Sequence, residues 1–168
     1  MKTLLPEPLT AAAFAPFGEV IAISAAQRRF PINGGNTERY HDLADLVPGP
    51  DGRMIVSLFR GQPRALPFAI EMLERHPLGS QAFMPLGDQP YLVVVAPPGP
   101  PPGPDDLRAF LAQPGEGVNY APGTWHHPLL ALNAVADFLI IDRSGPGNNC
   151  EETAILPAVQ LTLPATNA

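Results

Sequence analysis

Four histidines, His41, His76, His126 and His127, are the side chains of this sequence best suited to proton chemistry near neutral pH, and each lies in a segment dense in polar and aromatic residues. If PFAIEMLERH is extended, alternation puts Phe68, Ile70, Met72, Glu74 and His76 on one face, so an apolar face ends in a carboxylate and an imidazole. An isolated Glu and His beyond a strand end more often face solvent. What shifts the balance is Gln81, the next polar group, and the second imidazole cluster in APGTWHHP, where an extended backbone would point His126 and His127 to opposite sides. Imidazoles can give or take protons at neutral pH, and a carboxyl in apolar surroundings can be tuned upward to do the same.

Lys2 is the only lysine, so an anionic ligand would be held by an arginine, whose planar fork suits a carboxylate. Arg60 comes first, because alternation places it on the face of Met54, Val56 and Leu58, read here as an inward apolar face; Arg39 comes second. Trp125 and Tyr40 stand beside histidines and serve equally well as pocket walls or as plain core aromatics. Asp142 and Arg143 fit a structural pair. Cys150 has no histidine near it in sequence and reads as a small shielded residue, not a nucleophile.

The elements that must position these groups are short. With 23 prolines and 15 glycines the chain is broken too often for long helices, yet 45% of its residues are hydrophobic, too many for disorder. Strand signals cover 54–60, 67–76, 81–86, 91–96 and 134–142; 107–112 is open between strand and helical turn, and 10–17 reads as a short capped helix. The run PPGPPPGP at 97–104 donates too few ladder hydrogen bonds for a central strand and reads as a stiff surface loop. Many strands without intervening helices favour a mainly β barrel over a doubly wound sheet.

The 168 residues suit one domain with one core over 1–168. A formal net charge of −6 with scattered arginines argues against nucleic acid, and the absence of a long apolar run argues against a membrane span. One cysteine and no leader-like start point to the cytoplasm.

Two resemblances sharpen this picture. The spacing of Glu74, His76 and Gln81, followed by Gly123 and His126, resembles the two metal-binding motifs of the cupin superfamily, with Glu74 in place of a histidine and Gln81 in place of a glutamate. The blocks ERYHDL, LERHPLGSQAFMPL, LRAF, GVNY, WHHPL, DFLIIDR and NC, in that order, resemble the ureidoglycolate lyase family over nearly the whole chain. That resemblance implies a cupin-like antiparallel β-barrel with a few short helices, commonly a homodimer. It implies cleavage of (S)-ureidoglycolate to glyoxylate and urea in allantoin and purine breakdown, sometimes with a divalent ion such as nickel.

The chemistry asked of the residues is then specific. Ureidoglycolate is a hemiaminal, so its cleavage needs a base for the hydroxyl proton and an acid for the departing nitrogen, and no water. His76, His126 and Glu74 are the expected catalytic groups, with Arg60, Arg39, Gln81, Tyr40 and Trp125 around the substrate. If an ion is bound, His76, Gln81 and His126 are its expected ligands. An amidohydrolase that releases ammonia is the competing enzyme reading, and a non-catalytic cupin that binds a small acid is the third.

Overall fold

Branched and aromatic residues between frequent turn formers give short extended segments, and the computed structural model, which describes residues 1–165, is built almost entirely of them. The strands are β1 (Thr3–Leu4), β2 (Glu7–Pro8), β3 (Gly18–Ile21), β4 (Arg28–Ile32), β5 (Thr37–His41), β6 (Arg53–Gly61), β7 (Phe68–Arg75), β8 (Gln81–Pro85), β9 (Tyr91–Ala96), β10 (Arg108–Ala112), β11 (Gly117–Tyr120), β12 (Trp125–His126), β13 (Leu130–Ala131), β14 (Ala136–Ser144) and β15 (Glu151–Leu161). One four-residue helix, α1 (Ala11–Phe14), starts at Thr10, whose hydroxyl accepts a hydrogen bond from the Ala13 amide.

These strands form a mainly β, cupin-like barrel of two curled sheets. An eight-stranded sheet runs β1-β15-β7-β12-β9-β10-β2, with β13 also on β9, and a five-stranded sheet runs β3-β11-β8-β14-β6. Pairing is antiparallel except at the two ends of the large sheet, where the two-residue strands β1 and β2 pair parallel with β15 and β10. A third unit, the ribbon β4–β5, pairs with neither sheet.

Strand β9 lies between two apolar clusters, and all six of its residues are buried. Tyr91, Val93 and Val95 face a cluster between the sheets with Phe14, Phe83, Phe110, Tyr120 and Phe138. Leu92, Val94 and Ala96 face the second cluster, enclosed by the curl of the large sheet, with Ile70, Leu73, Trp125, Ile155 and Leu161. The single core expected from the sequence is thus divided in two by its central strand.

Two sequence expectations about alternation need correction. Along β7 the parity changes: Phe68 and Ile70 face the second cluster, and so does Leu73, while Glu74 pairs in register with His126 on the other side. The cause is in β15, where four residues between Ala154 and Val159 are spanned on β7 by Glu71 alone, so the strand rolls at that bulge. Glu74 and His76 do share a face, but not the one that Phe68 and Ile70 occupy. The second correction concerns β6, an edge strand. Its face of Met54, Val56 and Leu58 looks outward, with Val56 67% and Leu58 68% exposed. The ambiguous segment at 107–112 is a strand, β10, and the proline run is an exposed loop.

Candidate active site

The Pro-Gly turn before the second histidine cluster draws the two motifs together. Ala121 to Thr124 closes with the Thr124 amide donating to the Ala121 carbonyl, and Gly123 sits at φ +82°, the left-handed position that a type II turn reserves for glycine. The Gly123 amide donates to the His76 carbonyl at 2.9 Å, and His126 pairs with Glu74 across β12 and β7. The result is a triad: the ligand atoms of Glu74, His76 and His126 lie within 4.8 Å of one another.

The orientation of each imidazole is set from behind. His76 Nδ1 lies 2.7 Å from the Asn149 carbonyl oxygen and His126 Nδ1 lies 3.0 Å from the Thr124 carbonyl oxygen. A carbonyl only accepts, so each Nδ1 carries a proton and each ring turns its Nε2 to the triad. Both Nε2 atoms are buried without a hydrogen-bond partner, and they stand 3.5 Å (His126) and 3.9 Å (His76) from Glu74 Oε1. Three electron-rich atoms facing one another call for a proton or a cation between them.

Electrostatics agree with that geometry. Burial pushes the His126 imidazole below its ordinary value, so the ring is neutral at physiological pH. When His126 is protonated, the hydrogen bond and charge it offers across 3.5 Å hold the Glu74 carboxyl below the usual range, against the expectation that apolar surroundings would raise it. Tyr120 stacks on His126 with ring centroids 4.2 Å apart and planes 10° apart, and burial raises its phenol well above the normal value. The triad carboxylate also borders a cavity of about 440 Å³ lined by Leu58, Arg60, Phe83 and Leu129.

The other candidates are distributed differently. Arg60 borders the same cavity, but from the outward face of β6, and both its Nε and Nη2 donate to Asp137, at 2.8 and 3.0 Å. Gln81 is buried on β8, next to Tyr120 in register; its side-chain nitrogen donates to Asp142, and its Oε1 is buried without a hydrogen-bond partner. Trp125 alternates away from His126 into the second cluster, beneath Arg75, and is no wall of the triad. Arg39 and Tyr40 ride on the separate ribbon. His127 points away from His126, as expected, against Phe68. Arg143 is a buried clamp that donates to the carbonyls of Pro48, Pro50 and Pro146.

Two further residues stand at the site, and one of them, Cys150, is not the shielded residue expected. Cys150 is exposed, and its Sγ lies 3.9 Å from Glu74 Oε2, because β15 brings its start alongside the end of β7. Tyr120 arrives from β11 of the other sheet. Both stood inside recognisable blocks, NC and GVNY, but nothing in their spacing announced the contact.

A family model described as Ureidoglycolate lyase matches residues 1–162. A ureidoglycolate lyase of Burkholderia cepacia is 62% identical over 148 residues, covering 87% of this chain and 82% of that protein. One from Burkholderia mallei (strain NCTC 10229) is 56% identical over 163 residues, 96% and 95% of the two chains. One from Azotobacter vinelandii is 55% identical over 153 residues, 90% and 92%.

Proposed function

The chain belongs to the ureidoglycolate lyase family, and from that premise we propose that it cleaves ureidoglycolate to glyoxylate and urea at the Glu74, His76 and His126 triad. The observation that carries the assignment of the site is the pair of buried, unpartnered Nε2 atoms aimed at one carboxylate. His126, neutral through burial, takes the substrate hydroxyl proton on Nε2 as the carbon–oxygen double bond of glyoxylate forms and the carbon–nitrogen bond breaks. The imidazolium so made lies beside the Glu74 carboxylate, which stabilises it, and returns the proton to the departing urea nitrogen. No water is consumed. His76 holds the second Nε2 toward the same space and orients the substrate oxygen, while Arg60, already engaged by Asp137, supplies positive charge at the rim.

The triad also fits a divalent ion such as nickel. Glu74 and the Nε2 atoms of His76 and His126 would hold it, and it would supply Lewis-acid polarisation of the hydroxyl. Gln81 keeps a buried Oε1 without a hydrogen-bond partner, the atom through which it would join that set. Cytoplasmic residence, suited to an exposed free thiol, completes the proposal.

The test is to incubate purified protein with racemic ureidoglycolate and measure glyoxylate, urea and ammonia together, before and after chelation. Equal glyoxylate and urea without ammonia is the expected result, and stoichiometric ammonia would make the protein a hydrolase instead. Activity that survives exhaustive chelation keeps the proton-transfer route; activity lost with the ion and restored by it assigns the Lewis-acid route.

A further inference from the structure

The strand register gathers more ligating side chains on one face than the triad uses. Strand β7 is paired on both sides, so His126 of β12, Glu74 of β7 and Glu152 of β15 form one row across three strands. Positions two apart share a face, which brings His76 and Cys150 beside that row. The adjacent register pair, Arg75 and Glu151, lies on the opposite face and is neutralised at 2.6 Å. Glu74 and Glu152 are instead like charges directly opposed, an arrangement that destabilises an antiparallel pair unless a cation lies between them. Glu152 has no ion pair among the described residues.

The two oxygens of Glu74 are divided between two donor sets. Oε1 stands 3.5 Å from His126 Nε2 and 3.9 Å from His76 Nε2, while Oε2 stands 3.9 Å from Cys150 Sγ. The ligand atoms of Glu74, Cys150 and Glu152 lie within 4.8 Å of one another, the same limit that the triad meets. Atoms bound about 2.0 to 2.3 Å from one zinc-sized ion lie about 3.5 Å apart, so a shift of about 1 Å in an exposed side chain closes the second set. From the buried side His126, only 1% exposed, aims its unpartnered Nε2 at the shared carboxylate; Cys150 and Glu152 face it from the solvent side.

Resting on the reading of the triad as a cation-holding site, we propose that this face is a two-cation centre bridged by Glu74. The first position is formed by His76, His126 and Glu74 Oε1, and the second by Glu74 Oε2, Cys150 and Glu152. The second set combines one sulfur with two carboxylates, which selects thiophilic divalent ions of the zinc and cadmium class. Such an ion binds as the thiol gives up its proton to solvent and the sulfur–metal bond forms.

Cobalt(II) under anaerobic conditions is the probe, since a cobalt–thiolate bond adds a near-ultraviolet charge-transfer band that imidazole and carboxylate ligands lack. Reduced, chelator-stripped protein dialysed against it should retain about two ions per chain and show that band. Cys150→Ser should retain about one ion and lose the band, and Glu152→Gln should weaken the same ion. His76→Ala should weaken the other ion and keep the band. Wild-type protein that holds one ion without the band, kept in Cys150→Ser and lost in His76→Ala, overturns the second position and leaves the triad as a single-ion site. One ion with the band, lost in Cys150→Ser and kept in His76→Ala, overturns both the two-cation centre and the triad as an ion site, as does no bound ion at all. Equal stoichiometry and spectra in wild type and Cys150→Ser also overturn the proposal. None of these readouts uses activity, so a protein that binds cobalt as described but makes no glyoxylate would refute the function and leave the two-cation centre standing.

Discussion

At the scale of single residues, the chemistry depends on which nitrogen carries the proton. Backbone carbonyls hold a proton on Nδ1 of His76 and His126, and the nitrogens turned to the triad are therefore both Nε2. Replacing His126 or His76 with Ala should lower kcat by about a hundredfold to ten-thousandfold, the usual contribution of a positioned acid or base, with KM changing less. Because burial lowers the His126 value from 6.5, the acid limb of kcat/KM should fall below that pH; a limb above it would remove His126 as the base. Arg60→Met should raise KM about tenfold, the low end for a lost charge-assisted contact, because Asp137 already shares the guanidinium; equal KM values would exclude it from the rim. Cys150 is expected to make the enzyme sensitive to alkylation. A maleimide adduct 3.9 Å from Glu74 should block substrate entry, and Cys150→Ser should stay active and become resistant. Inhibition that persists in Cys150→Ser would place the effect elsewhere.

At the scale of elements, two connections hold the site. The Gly123 turn ties β12 to the end of β7 through the His76 carbonyl, and the bulge in β15 rolls β7 so that Glu74 faces inward. A third device supports the loop between β5 and β6: Arg143, on β14, donates to three carbonyls at 2.6, 2.9 and 2.6 Å. Arg143→Met should cost about 1.5 to 3 kcal/mol in chemical denaturation, since it removes the charge-assisted hydrogen bonds that hold the loop. Gly52→Ala should do comparable damage by a different route, because a Cβ there would lie 1.6 Å from Arg143 Nη1 and 2.2 Å from the Pro48 carbonyl oxygen. If both variants unfold at the wild-type denaturant midpoint, the clamp has no energetic role.

At the scale of the whole molecule, the two shifted groups of the triad act in the same direction on stability. His126 is kept neutral in the fold while its unfolded counterpart protonates near 6.5, so the unfolded state binds more protons as pH drops through that value. Glu74 is kept ionised while its unfolded counterpart protonates near 4.5, which adds to the loss at lower pH. Tm should therefore fall between about pH 7 and about pH 5, and His126→Phe, which stacks on Tyr120 without titrating, should flatten that slope. A His126→Phe protein with the wild-type pH dependence would show that other groups set it.

Local sequence was enough for several features. Branched runs bounded by proline and glycine located β6 to β9 and β14, Thr10 marked the start of α1, and Glu74 and His76 two apart shared a face whatever the rest of the strand did. The family blocks carried the function, since they record an entire solution to the chemistry. Tertiary structure alone decided the rest. The longest strand, β15, escaped notice because Pro157 and a four-residue bulge interrupt its alternation, and that bulge is what divides β7 between two cores. The face of Arg60 depended on β6 being an edge, and Trp125 turned from the histidines because β12 separates two apolar clusters. Alternation states which residues share a side; which side is the interior depends on the neighbouring strands, and those come from distant parts of the chain. Cys150 met Glu74 for the same reason, across 76 residues of sequence closed by a single strand pair.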